Sequence, residues 1–429
     1  MNRRSFLKLA SVSGVAVMTP TLLERSAHAA GRYPGPFFIL VHASGGWDPT
    51  YLCDPKGSDG PFPVNKLFKK ADVMPVGPFR PAPVTYPGVN YKAADFFTKY
   101  QSRLLVVNGI DTTTGNHDTG TRVIWSGQVA EGYPSFAAVA AAAKTPGNPL
   151  GFITNGGYEA TGGLTSLTRL GSVDTVRRIA YANRRDPANA MSGYHSDATW
   201  ERINAVQRER LDNMRNNQPL PRLNRGMNAL YLARSADNDL AQLAAALPSA
   251  ADINAATNDL QRQAMVAIAG FKTGLAVAAN VSIGGFDTHG NHDGAHLPQM
   301  GNLLLGVDLI AQEIAKAGLT DKVVIAVGSD FGRTPAYNAG NGKDHWNITS
   351  MMFMGPGITG NRVVGGTDDG FKAKTFNPAT LAEDASGVRI RPEHIQKQLR
   401  RLAGIDESEP ARKFPLAAST ADMSKLFTG

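Results

Sequence analysis

Gly284-Gly285-Phe286-Asp287-Thr288-His289-Gly290-Asn291-His292-Asp293 comes directly after an apolar run that reads as a buried strand. Two acidic residues and two imidazoles fall within these ten positions. Asp and His side chains at a strand's end supply the mixed oxygen and nitrogen donors that divalent metals such as zinc and manganese accept. Ligands of open α/β sheets gather at the carboxyl ends of the strands, so the string predicts a fold class and a place for chemistry together. A loop of Gly, Asx and His is also an ordinary surface turn in which Asp and Asn bond their own backbone, so other segments have to agree with it.

Phe37-Phe38-Ile39-Leu40-Val41-His42, Leu104-Leu105-Val106-Val107-Asn108 and Val323-Val324-Ile325-Ala326-Val327 are nearly continuous apolar runs, and Met351-Met352-Phe353-Met354 is a shorter one. Such runs suit strands covered on both faces. Between them Pro134 to Lys144 reads as an Ala-rich helix, Ala198 to Asn216 and Met227 to Ala245 as longer amphipathic helices, and Ala295 to Ala317 as a helix leading into the Val323 strand. The alternation predicts an α/β fold with no internal repeat. The region from about 157 to 250 is rich in Arg, Asn and Ala and breaks the pattern. It reads as a largely helical insertion or cap, either structural or a lid that selects substrate. Pro55 to Tyr91, rich in Pro and Gly, reads as a long loop over the sheet's edge, with a small basic patch at Lys66 to Lys70.

The N-terminus predicts a compartment. Arg3-Arg4-Ser5-Phe6-Leu7-Lys8 is a twin-arginine signature, followed by a moderately apolar stretch from Leu9 to Leu23 and a small-residue exit at Ala27-His28-Ala29. Residues 1–29 are expected to be a signal peptide handled by the twin-arginine export machinery, and 30–429 a single periplasmic or secreted domain. Ser11, Ser13, Gly14, Thr19 and Pro20 interrupt a stretch already short of the ~20 residues of a span, so no stable membrane span is expected after cleavage. The formal charge is +8 for the whole chain, and removing Arg3, Arg4, Lys8, Arg25 and Glu24 leaves +5. That is mild, and no Lys/Arg block is dense enough to track a phosphate backbone, so nucleic acid is not an expected partner. Cys53 is the single cysteine, which excludes an internal disulfide framework.

Further candidate ligands follow the other strands. Asp48 closes Gly45-Gly46-Trp47-Asp48-Pro49 after the first, and Asp330 lies in Gly328-Ser329-Asp330-Phe331-Gly332-Arg333 after the Val323 strand. His345 sits in Gly342-Lys343-Asp344-His345-Trp346 before the Met351 strand. One sheet edge is therefore expected to collect Asp48, Asp287, His289, Asp330 and His345. His292 and His296 are spaced i, i+4 and share a helix face if the helix begins that early, so His292 is either a ligand or an adjacent polar group.

These residues resemble a known family. The twin-arginine start, Gly-Gly-Trp-Asp near the front, Phe-Asp-Thr-His in the middle, Asp-Phe-Gly-Arg-Thr followed by Asp-His-Trp, and the closing Arg389-Ile390-Arg391-Pro392 are similar to the exported family catalogued as domain of unknown function 1501. That family is in turn similar to the alkaline phosphatase superfamily, with its arylsulfatases and cofactor-independent phosphoglycerate mutases. The resemblance implies an alkaline phosphatase-like, mainly parallel sheet with helices on both faces, and a metal-dependent hydrolase fold. It would make Asp48 and Asp330 the carboxylates of one metal site, and Asp287, His289 or His292, and His345 the ligands of the other. The superfamily commonly has an Asp-His pair where this chain has Asp330-Phe331, so a site built on Asp48 and Asp330 would be oxygen-rich, leaning toward magnesium, manganese or calcium rather than zinc.

Asp111-Thr112-Thr113-Thr114-Gly115-Asn116-His117-Asp118 lies where the superfamily places its nucleophile, at a helix start. Thr114 is the threonine expected to serve, with Thr112, Thr113 or a metal-activated water as alternatives, and a helix-capping turn is the structural reading of the same run. His117 is expected to supply the imidazole that Phe331 lacks. Arg333 and Arg122 are expected either to fork onto a phosphate or sulfate oxygen or to form salt bridges. The sequence thus predicts an exported metal-dependent hydrolase of small or polymeric phosphate or sulfate esters. The alternative is a catalytically degenerate binding or assembly protein that retains the fold.

Overall fold

The computed structural model describes residues 32–429 apart from 60–62, 90, 149, 170–172, 218–236 and 418–419. The expected signal peptide at 1–29 and the first part of the helix expected over Met227 to Ala245 lie outside the described residues. Strands β1 (Phe37–Ala43), β2 (Leu104–Asp111), β3 (Phe152–Asn155), β4 (Thr168–Arg169), β5 (Ala278–Ile283) and β6 (Val323–Ser329) follow in chain order. A two-stranded ribbon of β7 (Gly332–Arg333) and β8 (His345–Trp346) comes next, then β9 (Ile348–Met354) and β10 (Arg362–Gly365). All but the ribbon join one eight-stranded sheet in the order β10-β2-β9-β6-β1-β5-β3-β4.

Every residue of β1, β2, β6 and β9 is buried, which a strand achieves only when both faces of its sheet are covered. The chief helices are α1 (Ala93–Tyr100), α2 (His117–Ser126), α3 (Phe136–Lys144), α4 (Val173–Ala180), α5 (Asp197–Asn216), α6 (Asp237–Ala246), α7 (Asp259–Lys272), α8 (His292–Lys316) and α9 (Pro392–Leu402). Of these, α3 and α7 pack on β5 and α2 packs on β6. Between about 157 and 250 the described elements are the short edge strand β4 and the helices α4, α5 and α6. Leu243 and Leu247 beside α6 share a small second core with Val173, Val176, Val266 and Leu275.

The sheet is α/β and mostly parallel, with one exception: β9 runs antiparallel to both of its neighbours, β2 and β6. That exception matters for the site. β1 pairs in parallel with β5 and β6, with Ala43 opposite both Ile283 and Ser329, so all three strands end at one level. β2 ends there too, its Asp111 opposite Ile348 at the start of antiparallel β9, so the His345 loop enters at the edge the other loops leave. Helix α8 begins at His292, earlier than the expected Ala295, which puts His292 and His296 on one face, both fully buried. Among the described residues no helix is long and apolar enough to cross a membrane.

Candidate metal centre

Four loops deliver polar side chains to that edge. The loop after β5 brings Asp287 and His289, the residue after β6 is Asp330, the ribbon strand β8 brings His345, and the first residue of α2 is His117. Helix α2 opens there because Asn116 adopts an extended conformation and its side chain accepts from the Thr119 amide. Gly45, at φ +115°, lets the β1 loop pass so close to the Asp287 loop that a Cβ at this position would lie 2.5 Å from the Asp287 amide nitrogen. His289 Nε2 lies 3.0 Å and His345 Nε2 3.2 Å from Asp287 Oδ1, and His117 Nε2 lies 3.5 Å from Oδ2. The two exposed-side imidazoles face each other, Nε2 to Nε2, at 2.8 Å.

The direction of each proton follows from partners that can play only one part. His345 Nδ1 is 2.6 Å from the Gly115 carbonyl, an obligate acceptor, so Nδ1 carries the proton. His289 Nδ1 donates to Asp344 Oδ1 at 2.8 Å, and the bond holds the Asp344 carboxyl below its ordinary range. His117 Nδ1 lies 2.6 Å from Asp330 Oδ2; this bond raises the imidazole pKa above its ordinary value, against the effect of burial. Behind Asp330, the indole N–H of Trp125 can only donate, so His42 accepts through Nδ1 at 3.0 Å and turns Nε2–H toward Asp330 Oδ1 at 3.3 Å. Burial keeps His42 low, hence neutral. Three imidazoles thus carry a proton on Nδ1 and turn Nε2 toward one carboxylate. His117 Nε2 is buried with no hydrogen-bond partner. Burial opposes ionisation of Asp287, yet Arg333 and His345 together outweigh it and the carboxyl is held down to about 2. Electron-pair donors this close to one another repel unless a cation stands among them, and His117, Asp287 and His345 lie close enough together to hold one. Imidazoles backed by carboxylate or carbonyl acceptors are the arrangement in which metal-ligating histidines are oriented.

Asp48 is not in this group. It lies fully buried in a second cluster, where Oδ1 caps a short 3-10 turn by accepting from the Thr50 amide and hydroxyl, and Oδ2 accepts from Lys343 Nζ at 2.7 Å. Burial opposes its ionisation, but Lys343 together with His292 outweighs that and holds the carboxyl far below its usual range. His292 is in the same cluster and not at Asp287. The backbone amide of Asp48 donates to His296 Nε2 at 2.9 Å, so the His296 proton is on Nδ1 and goes to Thr288 Oγ1 at 3.0 Å. The Thr288 hydroxyl then donates to His292 Nδ1 at 2.7 Å in preference to the Phe286 carbonyl at 3.4 Å. His292 Nε2–H closes the ring on Asp48 Oδ2 at 3.1 Å. With its proton on Nε2, His292 offers no lone pair toward Asp48.

Arg333 links the two clusters. Its Nε donates to the Gly46 carbonyl, Nη1 to the Lys343 carbonyl, and Nη2 to the Gly45 carbonyl and Asp287. It is fully buried, so its fork is spent on the protein, and the expectation that it would grip a substrate oxygen gives way to a role in holding Asp287. The Thr114 hydroxyl accepts from the Asn116 amide, the local turn anticipated as the structural reading of the threonine run, while Thr112 bonds the Asn347 carbonyl. Beside the centre a cleft of about 360 Å³ is lined by His117, Asp330, Thr121, Arg122, Tyr158 and Ser282 among others. Sequence reasoning passed over His42, Trp125, Thr288 and Lys343. An imidazole at the end of an otherwise apolar strand was the one signal available for His42.

A family model described as Protein of unknown function (DUF1501) matches residues 37–407. No curated protein matches the chain. Among solved structures, a lipoteichoic acid synthase from Listeria monocytogenes is similar at 9% identity and TM-score 0.39, covering 98% of this chain and 81% of that one. A protein in the alkaline phosphatase superfamily from Vibrio parahaemolyticus is similar at 9% identity and TM-score 0.33, covering 94% and 76%. An alkaline phosphatase from the Antarctic bacterium TAB5 is similar at 10% identity and TM-score 0.26, covering 77% and 94%. Overlap this loose transfers no activity.

Proposed function

This chain belongs to the DUF1501 family, and from that premise we propose that it is an exported metal-dependent hydrolase of phosphate or sulfate esters, with one divalent ion held by His117, Asp287 and His345 and joined by His289. The observation that supports the reading is the convergence of three Nε2 atoms on the Asp287 carboxylate, each imidazole held by an acceptor at Nδ1. A set of three nitrogens and one oxygen suits zinc better than magnesium, calcium or manganese, which favour oxygen. Asp330, expected as a ligand, serves in this reading to orient His117. A divalent ion here would polarise an ester oxygen and acidify a water molecule. The residues around it have separate work: Asp330 and Asp344 hold the imidazole protons away from the centre, Arg333 steadies Asp287, and the cleft beside His117 receives the rest of the substrate, with Arg122 as its cation. Export is supported by Arg3-Arg4-Ser5-Phe6-Leu7-Lys8.

Elemental analysis of the purified protein, followed by a screen of phosphate monoesters, phosphate diesters and aryl sulfates with added zinc, manganese, magnesium or calcium, tests the proposal. Bound metal with turnover that His345→Ala abolishes is the expected result. Bound metal with no turnover anywhere in the screen favours the second reading, a binding or assembly protein that has lost catalysis. The enclosure of Arg333 and the engagement of the Thr114 hydroxyl are what speak for it. No metal at all removes both the ion and the hydrolase.

A further inference from the structure

The buried cluster around Asp48 has the donors of a cation cage, and it already contains a cation. Lys343 Nζ lies 2.7 Å from Asp48 Oδ2 and 2.7 Å from Asn65 Oδ1, with Thr50 Oγ1 at 3.4 Å. The Tyr51 and Tyr337 rings stand 5.3 and 5.1 Å from it, close enough for their faces to favour a positive charge. Lys343, Asp48 and Asn65 are all fully buried. These contacts tie together three distant segments: the turn after β1, the long loop that contains Asn65, and the loop that carries His345 two positions further on. Drawing remote backbone segments to one point through several oxygen ligands is what a structural metal ion does.

Charge decides whether a second ion can share the place. Asp48 carries one negative charge and Lys343 one positive charge, while the ring of hydrogen bonds through Thr288 leaves His292 and His296 with a single proton each. The cluster is therefore neutral as it stands. A divalent ion added to it would bring two further positive charges into a site closed to water whose one carboxylate is already paired, and uncompensated buried charge is strongly unfavourable. At the Asp287 centre, by contrast, the carboxylate is about half exposed and His117 Nε2 has no hydrogen-bond partner. Among the described residues, His117, Asp287 and His345 form the one group of His, Cys, Asp or Glu side chains close enough together to hold an ion.

We propose that Lys343 is the protein's own second cation: its ammonium fills the Asp48 cage, and the chain consequently binds one divalent ion and not two. The proposal rests on the metal reading of the Asp287 centre. It also gives the cage a latent property, because removing the ammonium leaves a carboxylate, an amide oxygen and a hydroxyl facing a vacated space the size of a small cation.

Wild-type protein saturated with zinc or with manganese, freed of excess ion by gel filtration, is expected to carry one equivalent by elemental analysis. Lys343→Ala is expected to carry two. A wild-type count of two overturns the Lys343 inference and leaves the metal centre standing, whereas a count of zero removes the centre and the inference with it. Folded Lys343→Ala that still carries one equivalent also overturns the inference. Should that variant fail to fold, Asp48→Asn combined with Lys343→Met removes both charges and the need for a cation; it is expected to fold and to carry one equivalent, and a count of two there again sinks the idea.

Discussion

Replacing Thr288 by Val tests the ring of hydrogen bonds that underlies the centre. The two side chains have nearly the same shape, so the substitution changes little but the hydroxyl. That hydroxyl accepts from His296 Nδ1–H and donates to His292 Nδ1, and all three residues are buried. Losing it strands a donor and an acceptor in a closed site, at roughly 1–3 kcal/mol for each buried polar atom left unmade, so a loss of about 2–6 kcal/mol is expected. Unfolding a chain of about 400 residues changes the entropy by roughly 0.8 kcal/mol/K, which converts this to a fall in Tm of roughly 2–8 °C. Thr288 also stands between Asp287 and His289, so the loop that presents both should lose definition. Zinc affinity is expected to fall about 10- to 100-fold, as it does when partners of metal-ligating residues are removed. Thermal unfolding of the metal-free protein and competition titration with a zinc chelator read the two effects separately. Thr288→Ser keeps the hydroxyl and should restore most of both. A Thr288→Val protein within about 1 °C of wild type, or a Ser variant no better than the Val variant, would refute the directed ring.

Two further predictions are independent of that ring. His394 accepts from the Arg391 amide at the start of α9, and burial, then Arg391 and Lys397, lower its pKa from the ordinary 6.5 to about 4. Folding therefore favours the neutral imidazole: its contribution is complete above pH 6.5 and is lost as pH falls toward and through 4, a difference on the order of 3 kcal/mol. Urea unfolding at stepped pH should show this extra acid sensitivity in wild type and not in His394→Asn, and parallel pH slopes for the two proteins would exclude it. Gly342 packs on the His289 backbone so closely that a Cβ would overlap the His289 carbonyl. Gly342→Ala is accordingly expected to displace the His289 and His345 loops and cut zinc affinity at least tenfold with circular dichroism unchanged; unchanged affinity would show that the loops yield freely.

The α/β class and the edge that carries the site were legible because long apolar runs can be satisfied only as covered strands, and the polar loops follow them in sequence. Asp287, His289, Asp330 and His345 were found in that way, and His117 by the absence of an imidazole at Phe331. The antiparallel run of β9 was not legible: direction is set by which edge the chain enters, and its sequence is as apolar as that of its parallel neighbours. Asp48 was placed with the others because it follows β1, but Gly45 and Gly46 turn the chain so that Asp48 caps the next turn and meets Lys343, nearly three hundred positions away. No local pattern encodes that pairing. Arg333 forms the salt bridge that stood as the alternative to a substrate contact, and the choice between them was not legible, because an arginine three positions past a carboxylate gives no sign of whether its fork will meet solvent or the carbonyls of Gly45, Gly46 and Lys343.

The two clusters differ in one respect that accounts for their different readings. In both, imidazoles are oriented by partners of fixed character, either obligate donors such as the Trp125 indole and the Asp48 amide or obligate acceptors such as the Gly115 carbonyl. Around Asp48 the chain of donors and acceptors closes on itself, so every proton has a destination and every lone pair a proton. Around Asp287 the same logic runs outward: the Nδ1 protons of His117, His289 and His345 go to Asp330, Asp344 and Gly115, which leaves the three Nε2 atoms turned toward Asp287 and, for His289 and His345, toward each other. A closed ring stabilises a fold and asks for nothing further. An open set of convergent nitrogens around one carboxylate, each backed by an acceptor that holds its Nδ1 proton, is the arrangement that the proposed ion would complete.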